Sequence, residues 1–501
     1  MLSALSRTLS FLIIAVSFYA TYAYDNSRYD NVAVYWGQNS YGATHSDVAN
    51  FQKPLAFYCQ DDAIDVLPVA FLNVFFGPGG VPSINLSNTC NDVDNATFSG
   101  TNLPVCTSVG ADIKTCQAKG KIVTLSLGGA GGSVGFTSDS QGEQLADTIW
   151  NVFLGGSSST RPFGDAVLDG VDLDIEGGSS TGYAAFVNRI RSHASSTSKK
   201  YYITAAPQCP YPDASLGGVL NAASFDAVYV QFYNNVCGLQ NVNLAQDWDF
   251  GIWDNWARTI SPNTNVKIYL GAPASSTAAG TGYQEIGTLS SIAVKMRKAF
   301  PSFGGVMLWD ASQAYANGRY DLGIKNALSA AGGTGFTFPA CSAPAYVAGS
   351  AYTGGSQVTY GGYVWQAKFW SSQVPTNDPN GEWSAISACV GAGSASSSSA
   401  SPTSAPPSGP TGGTCGGVAA WSSSTVYTGG HGHLWTAKWW TQGDTPGGSV
   451  GVWTDDGVCV SAQAIPKPHV GGEGTVTSVS QSSQKTPPPS RPKVNSRVFR
   501  L

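Results

Sequence analysis

The sequence predicts an α/β chain: a (β/α)8 barrel, the TIM-barrel architecture, followed by two small β-rich modules, each stapled by a disulfide. Three observations predict it. Eight short apolar, β-branched runs recur between residues 32 and 310, with gaps mostly long enough for a helix. From residue 341 onward the composition turns to Gly, Ser and aromatics. Two segments within that part repeat, and cysteines bracket each of them.

The eight runs are "VAVYWG" (32–37), "DVLPVAFLNVF" (65–75), "KIVTLSLGG" (121–129), "AVLDGVDLDIE" (166–176), "YYITAAPQ" (201–208), "FDAVYVQFYN" (225–234), "VKIYLGAPA" (266–274) and "GGVMLWD" (304–310). Near-continuous apolar strands alternating with helical segments indicate a parallel sheet covered on both faces. Eight such units indicate a closed barrel, assigned to residues 24–335. A doubly wound open sheet is the alternative, but no GxGxxG follows the first run.

Composition narrows the function. Of 501 residues only 11% are charged, against roughly 25% in an average soluble chain. The net charge is −5, and no basic face argues for a nucleic-acid partner. At the N-terminus, Arg7 precedes the apolar "LSFLIIAVSFYA" (9–20), and Thr21 and Ala23 are small. This reads as a signal peptide over 1–23, cleaved after Ala23, and as a secreted protein found outside the cell or in the cell wall. No later segment reaches the roughly 18 apolar residues of a membrane span, so none is expected. The ten cysteines, 59, 90, 106, 116, 209, 237, 341, 389, 415 and 459, suit disulfides in that compartment. None stands in a CxxC pair, so no metal site and no cofactor are expected. Asn85 and Asn95 head glycosylation sequons. The Ser/Pro/Gly-rich stretch 390–414 reads as a linker, the tail 460–501 as disordered, and the protein as a monomer.

The chemistry concentrates in "DGVDLDIEGG" (169–178). Side chains alternate faces along a strand, so Asp172, Asp174 and Glu176 share one face, and Val171, Leu173 and Ile175 share the other. The carboxylates then point into the barrel and climb toward its C-terminal end, where barrel enzymes hold their active sites. Asp169 has the opposite parity and belongs at the strand's start. Crowded, desolvated carboxylates raise one another's pKa, which suits the outermost, Glu176, to general-acid work. A cation site is the competing reading, but calcium takes its ligands from flexible oxygen-rich loops.

"DGVDLDIE" resembles the DxxDxDxE signature of family 18 glycoside hydrolases, the chitinases. "KIVTLSLGG" is similar to their SxGG motif at Ser126, Gly128 and Gly129. "VAVYWGQN", "ITAAPQC", "VQFYNN" and "GGVMLWD" resemble the plant and fungal class III, or hevamine-like, members. The resemblance implies a substrate-assisted, retaining hydrolysis of an N-acetylglucosamine polymer such as chitin. In it Glu176 is the acid, Asp174 orients the 2-acetamido group, Asp172 shares a proton with Asp174, and Tyr233 bonds the acetamide oxygen. It further implies that Gln231 contacts substrate and that Trp309 forms the floor of the site. Ser126 would support the acidic strand from its neighbour, and Gln38 and Asn39 would line the groove. It suggests the pairings Cys59–Cys116, Cys90–Cys106 and Cys209–Cys237. Only about 30 residues separate Ala274 from Gly304, too few for the small domain that many relatives insert there, so the groove should be shallow and suited to endo cleavage.

In the C-terminal part, "YTGGSQVTYGGYVWQAKFW" (352–370) and "YTGGHGHLWTAKWW" (427–440) align, and the offsets 435−365, 453−383 and 459−389 are all 70. The modules span 341–389 and 415–459, closed by Cys341 with Cys389 and Cys415 with Cys459. Chains this short need such a staple. Trp365, Phe369, Trp370, Trp435, Trp439 and Trp440 are candidates for stacking on sugar rings, with Trp365 and Trp435 also suited to the core. Of each adjacent pair, Phe369–Trp370 and Trp439–Trp440, one ring should be exposed. The "AKFW/AKWW" pattern is similar to family 5/12 chitin-binding modules. The second copy lacks about five residues of the first, and with them part of a strand. Two competing functions remain: a non-catalytic chitin-binding lectin on the same barrel, and an endo-N-acetylglucosaminidase acting on N-glycans. Glu176 stands against the first, the chitin-type modules against the second.

Overall fold

A computed structural model describes residues 24–390 and the backbone of two further strands, 433–437 and 453–458. The signal-like stretch 1–23, the linker from 391 on and the tail 460–501 lie outside the described residues. The chain divides into two compact units, Met1–Ser397 and Ser398–Leu501.

The first unit is built on a closed barrel. Its parallel strands are β1 (Asn31–Val34), β2 (Val66–Val74), β4 (Ile122–Gly128), β5 (Gly170–Asp174), β6 (Tyr202–Ala205), β7 (Ala227–Gln231), β8 (Lys267–Pro273) and β9 (Phe303–Trp309). β1 pairs with both β2 and β9, which closes the ring. A two-residue strand, β3 (Ser83–Ile84), pairs antiparallel with β2. Every residue of β1, β5, β6, β7 and β8 is buried, as expected of strands covered by helices outside and side chains inside.

Helices follow most strands, among them Thr107–Ala118, Asp139–Phe153, Tyr183–Ser195, Phe250–Thr259 and Ile286–Ala299. Ser138 caps the second of these by accepting a bond from Gln141 N at 3.3 Å. The β1–β2 crossover departs from the pattern: it carries only the short helix Ser40–Thr44 and 3₁₀ turns. The barrel interior is filled by Tyr35, Phe71, Tyr229, Tyr269 and Met307, a more aromatic filling than the branched aliphatics usual in such barrels. Disulfides join Cys59–Cys116, Cys90–Cys106, Cys209–Cys237 and Cys341–Cys389. Among the described residues, no helix is long and apolar enough to cross a membrane.

After the barrel, β10 (Gln357–Tyr360), β11 (Tyr363–Ala367) and β12 (Trp383–Ala388) form an antiparallel sheet. Trp365 and Trp383 are its core. In the second unit, β13 (His433–Ala437) and β14 (Trp453–Val458) repeat the β11–β12 backbone register. Ala367 pairs with Trp383 and Ala437 with Trp453, and a register shift falls just before Trp365 and Trp435. The side chains of Trp435, Trp439 and Trp440, and the cysteines 415 and 459, lie outside the described residues.

Candidate active site

The acidic run is the centre of the barrel mouth. β5 is shorter than the sequence implies: it ends at Asp174, and Glu176 stands two residues beyond it, exposed to the cavity. Asp169 lies just before the strand, where it accepts bonds from Val123 N and Gln117 Nε2 at 2.9 Å and pairs with Lys199.

Parallel register sets the surroundings of Asp172. Ser126 on β4 and Thr204 on β6 stand level with it. Both hydroxyls donate to its carboxylate, at 2.7 and 2.6 Å, and Tyr35 donates from across the barrel at 2.7 Å. Burial raises the pKa of Asp172, and these three donors oppose that rise. One turn of the pleat higher, Asp174 accepts a bond from Gln231 Nε2 at 2.9 Å, and the same amide also donates to Ala206 O. Burial first, then the charges of Glu176 and Asp172, hold the Asp174 pKa well above the usual carboxylate range. Glu176 is raised as well, by lost hydration and then by Asp213. Tyr233 is raised by burial and by Asp174 and Glu176, so its hydroxyl remains a donor across the working pH range.

Asp174, Glu176, Gln231, Tyr233, Trp309, Gln38, Gly128 and Gly129 line one open cavity of about 440 Å³. Phe71 stacks beside Trp309 with ring centroids 5.9 Å apart, giving the cavity an apolar wall. Gly128 and Gly129 are there for backbone room. A Cβ on Gly128 would lie 2.1 Å from Asp174 O, and one on Gly129 would enter the Phe71 ring.

The remaining candidate residues divide between the cavity and places that support it. Ser126 is fully buried and touches Asp172, not the cavity. Asn39 does not line the groove. It sits buried in the left-handed region at φ 48° and exchanges bonds with Gln52, its Oδ1 accepting from Gln52 N at 2.8 Å. Gln38 does line it, fixed by bonds to Ala70 O and Asn85 O. In the first module Trp365 is 3% exposed and belongs to the core. Phe369 and Trp370 are both exposed, at 52% and 59%, where alternation would have buried one. β11 stops at Ala367, and the two rings stand on a bend, free of strand alternation.

The sequence reading missed Tyr35, Thr204, Phe71, Asn73, Asn85 and Asn234. Tyr35 lies just past β1 with the parity of inward-facing Ala33. Thr204 would have followed from aligning β5 with β6. Asn234 accepts from Gly280 N and Thr281 N at 2.8 and 3.1 Å, which pins the loop that brings Ala278 to the cavity wall. Nothing in local sequence marks that contact. Among the described residues, no cluster of His, Cys, Asp or Glu could hold a metal ion.

The fold and the mouth together define a class: a (β/α)8 protein with stacked carboxylates and aromatic walls in an open cavity at its strand ends. The profile of glycosyl hydrolases family 18 matches residues 31–299. The chain belongs to that family. It is 53% identical over 309 residues to a protein named chitinase 2 of Rhizopus oligosporus, covering 62% of this chain and 54% of that one. It is 44% identical to the endochitinase of Saccharomyces cerevisiae over 63% of this chain and 53% of that one. It is 42% identical to a class III chitinase of Arthroderma benhamiae, over 66% of this chain and 95% of that one. The chain thus spans about half the length of the first two relatives.

Proposed function

We propose that this protein is a secreted endochitinase that cleaves β-1,4-linked N-acetylglucosamine polymers with retention at the anomeric carbon. The observation that carries the reading is the convergence of Asp174, Glu176, Tyr233, Gln231 and Trp309 on one cavity. The 53% identity to a named chitinase supports the substrate class.

The chemistry proposed for those positions is the substrate-assisted one that the family resemblance implies. Glu176, whose raised pKa keeps it protonated above the usual carboxylate range, gives its proton to the glycosidic oxygen. The carbonyl oxygen of the substrate's own acetamido group attacks the anomeric carbon as the C–O bond breaks, forming an oxazolinium ion. This substrate assistance sets the family apart from two-carboxylate retaining enzymes. Asp174 orients the acetamide N–H, and Tyr233 donates to its oxygen. Asp172, whose charge raises the Asp174 pKa, shares a proton with Asp174. The Glu176 carboxylate then takes a proton from water as it opens the ring. Trp309 supplies the floor. The first module, 341–389, and the second, 415–459, bind chitin, the first through exposed Phe369 and Trp370. Four disulfides suit an extracellular home.

The test is a substrate panel. The full chain should release soluble sugars from colloidal chitin and none above background from cellulose or fully deacetylated chitosan, which lack the acetamide. Turnover of chitosan at the chitin rate would remove the substrate-assisted step.

A further inference from the structure

The first module is fixed to the barrel. The segment that joins them is pinned: Phe336 stacks on Tyr29, Arg297 donates to Gly335 O at 2.6 Å, and the Arg258 guanidinium lies over Phe338. The sheet packs on helix Phe250–Thr259. Tyr363 donates to the buried carboxylate of Asp254 at 2.7 Å, Ser384 to Trp248 O at 3.2 Å, and Ser387 to Ala299 O at 3.4 Å. The approach is close enough that a Cβ on Gly251 would lie 2.0 Å from Ala385 O.

These contacts also fix direction. Helix Phe250–Thr259 follows β7, so its start lies at the end of the barrel where the cavity opens and its finish at the opposite end. Ser384 and Ala385 meet the start of that helix, and Ser387 meets the last residue of helix Ile286–Ala299, at the far end. β12 therefore runs away from the cavity end, and antiparallel β11 runs toward it. Phe369 and Trp370 follow β11 directly, so they emerge on the cavity side. Lys368 beside them feels the charge of Asp378 in the module and then those of Asp249 and Asp247, at the end of the loop that begins with Tyr233 and Asn234.

We infer that the first module is a rigid continuation of the substrate track, holding Phe369 and Trp370 as a stacking platform at the cavity end for an N-acetylglucosamine chain that extends beyond the cleft. This rests on the function proposed above. A tethered module would only raise local concentration. A docked one also sets the angle at which a polymer chain meets the cleft.

Gly251→Ala separates the two. Alanine favours the helix itself, but its methyl collides with Ala385 O and pushes the sheet off. Hydrogen exchange should rise in β12 and in helix Phe250–Thr259. Turnover of a soluble N-acetylglucosamine pentamer should stay within about twofold, and chitin binding should persist, because flexible tethering preserves avidity. Turnover of insoluble chitin should fall about fivefold or more, an effect of lost orientation and not of lost proximity. Trp370→Ala, with the sheet still docked, should lower both binding and turnover on the insoluble polymer and spare the pentamer. The inference is overturned if exchange rises while insoluble turnover holds, if exchange does not change, or if Trp370→Ala matches wild type on the polymer. Failure of wild type on the pentamer would instead overturn the proposed function.

Discussion

Replacing Ser126 by alanine should destabilise the barrel by an amount that depends on pH. Asp172 has no exposure and receives three hydroxyl bonds of 2.6 to 2.7 Å. A bond to a charged group contributes about 1.5–3 kcal/mol, one to a neutral group about 0.5–1.5. The loss should therefore reach about 2 kcal/mol where Asp172 is ionised and about half that where it is protonated. Burial raises the folded pKa of Asp172 above 3.8, and removing a donor raises it further. The extra cost is thus complete above the variant's folded pKa and disappears as pH falls below the wild-type folded pKa. For a barrel of about 310 residues, an unfolding entropy of about 2.1 cal/mol/K per residue means that a 2 kcal/mol loss lowers Tm by about 3 °C. Thermal unfolding of wild type and Ser126→Ala at neutral pH and near pH 3 reads the difference directly. Equal destabilisation at both pH values would mean that a bond to a charged Asp172 is not what Ser126 contributes.

Three further outcomes follow from other parts of the molecule. Among the described residues no carboxylate stands within ion-pair distance of buried Lys267, and its pKa is pushed down from 10.5 to about 8, by burial first and then by Arg297, with Asp254 and Asp25 opposing. The difference, 10.5 − 8, costs about 3 kcal/mol. That cost is full below pH 8 and fades as pH rises to 10.5, so Lys267→Met should raise stability in urea titrations at pH 7 and not at pH 10.5. Asn85 lines the cavity with Ser87, and its Oδ1 accepts from Ser87 N. Glycopeptide mass spectrometry of protein from a eukaryotic secretory host should find Asn85 bare, since a glycan there would fill the cleft. Finally, kcat/KM on soluble oligomers should decline as pH rises through the raised pKa of Glu176, and Asp213→Asn, which removes a charge that raises it, should move that decline to lower pH.

The barrel is readable because its signals are local: eight short apolar runs spaced for helices. Asp172 and Asp174 are readable because strand alternation is a rule of two. What escaped depends on register between strands distant in sequence. Thr204 meets Asp172 only once β5 and β6 are aligned, and Phe71 reaches Trp309 only across the closed ring. Asn39 misled because a polar residue after a barrel strand resembles a ligand contact, while its left-handed backbone and its bonds to Gln52 make it a turn. Phe369 and Trp370 misled because alternation was extended past the end of β11. The docking of the first module had no sequence signal: Gly251 is an ordinary helix glycine until Ala385 is placed against it.

In the proposed reaction Glu176 is the acid and the substrate's acetamide the nucleophile. The direct measurement follows product anomers by NMR from a short N-acetylglucosamine oligomer, with wild type and with Glu176→Gln. β-Anomers should appear first from wild type, and the variant should bind chitin while its turnover falls at least about a hundredfold, within the range carried by a general acid. Initial α-anomers from wild type, or a variant that still turns over at near the wild-type rate, would contradict that reaction.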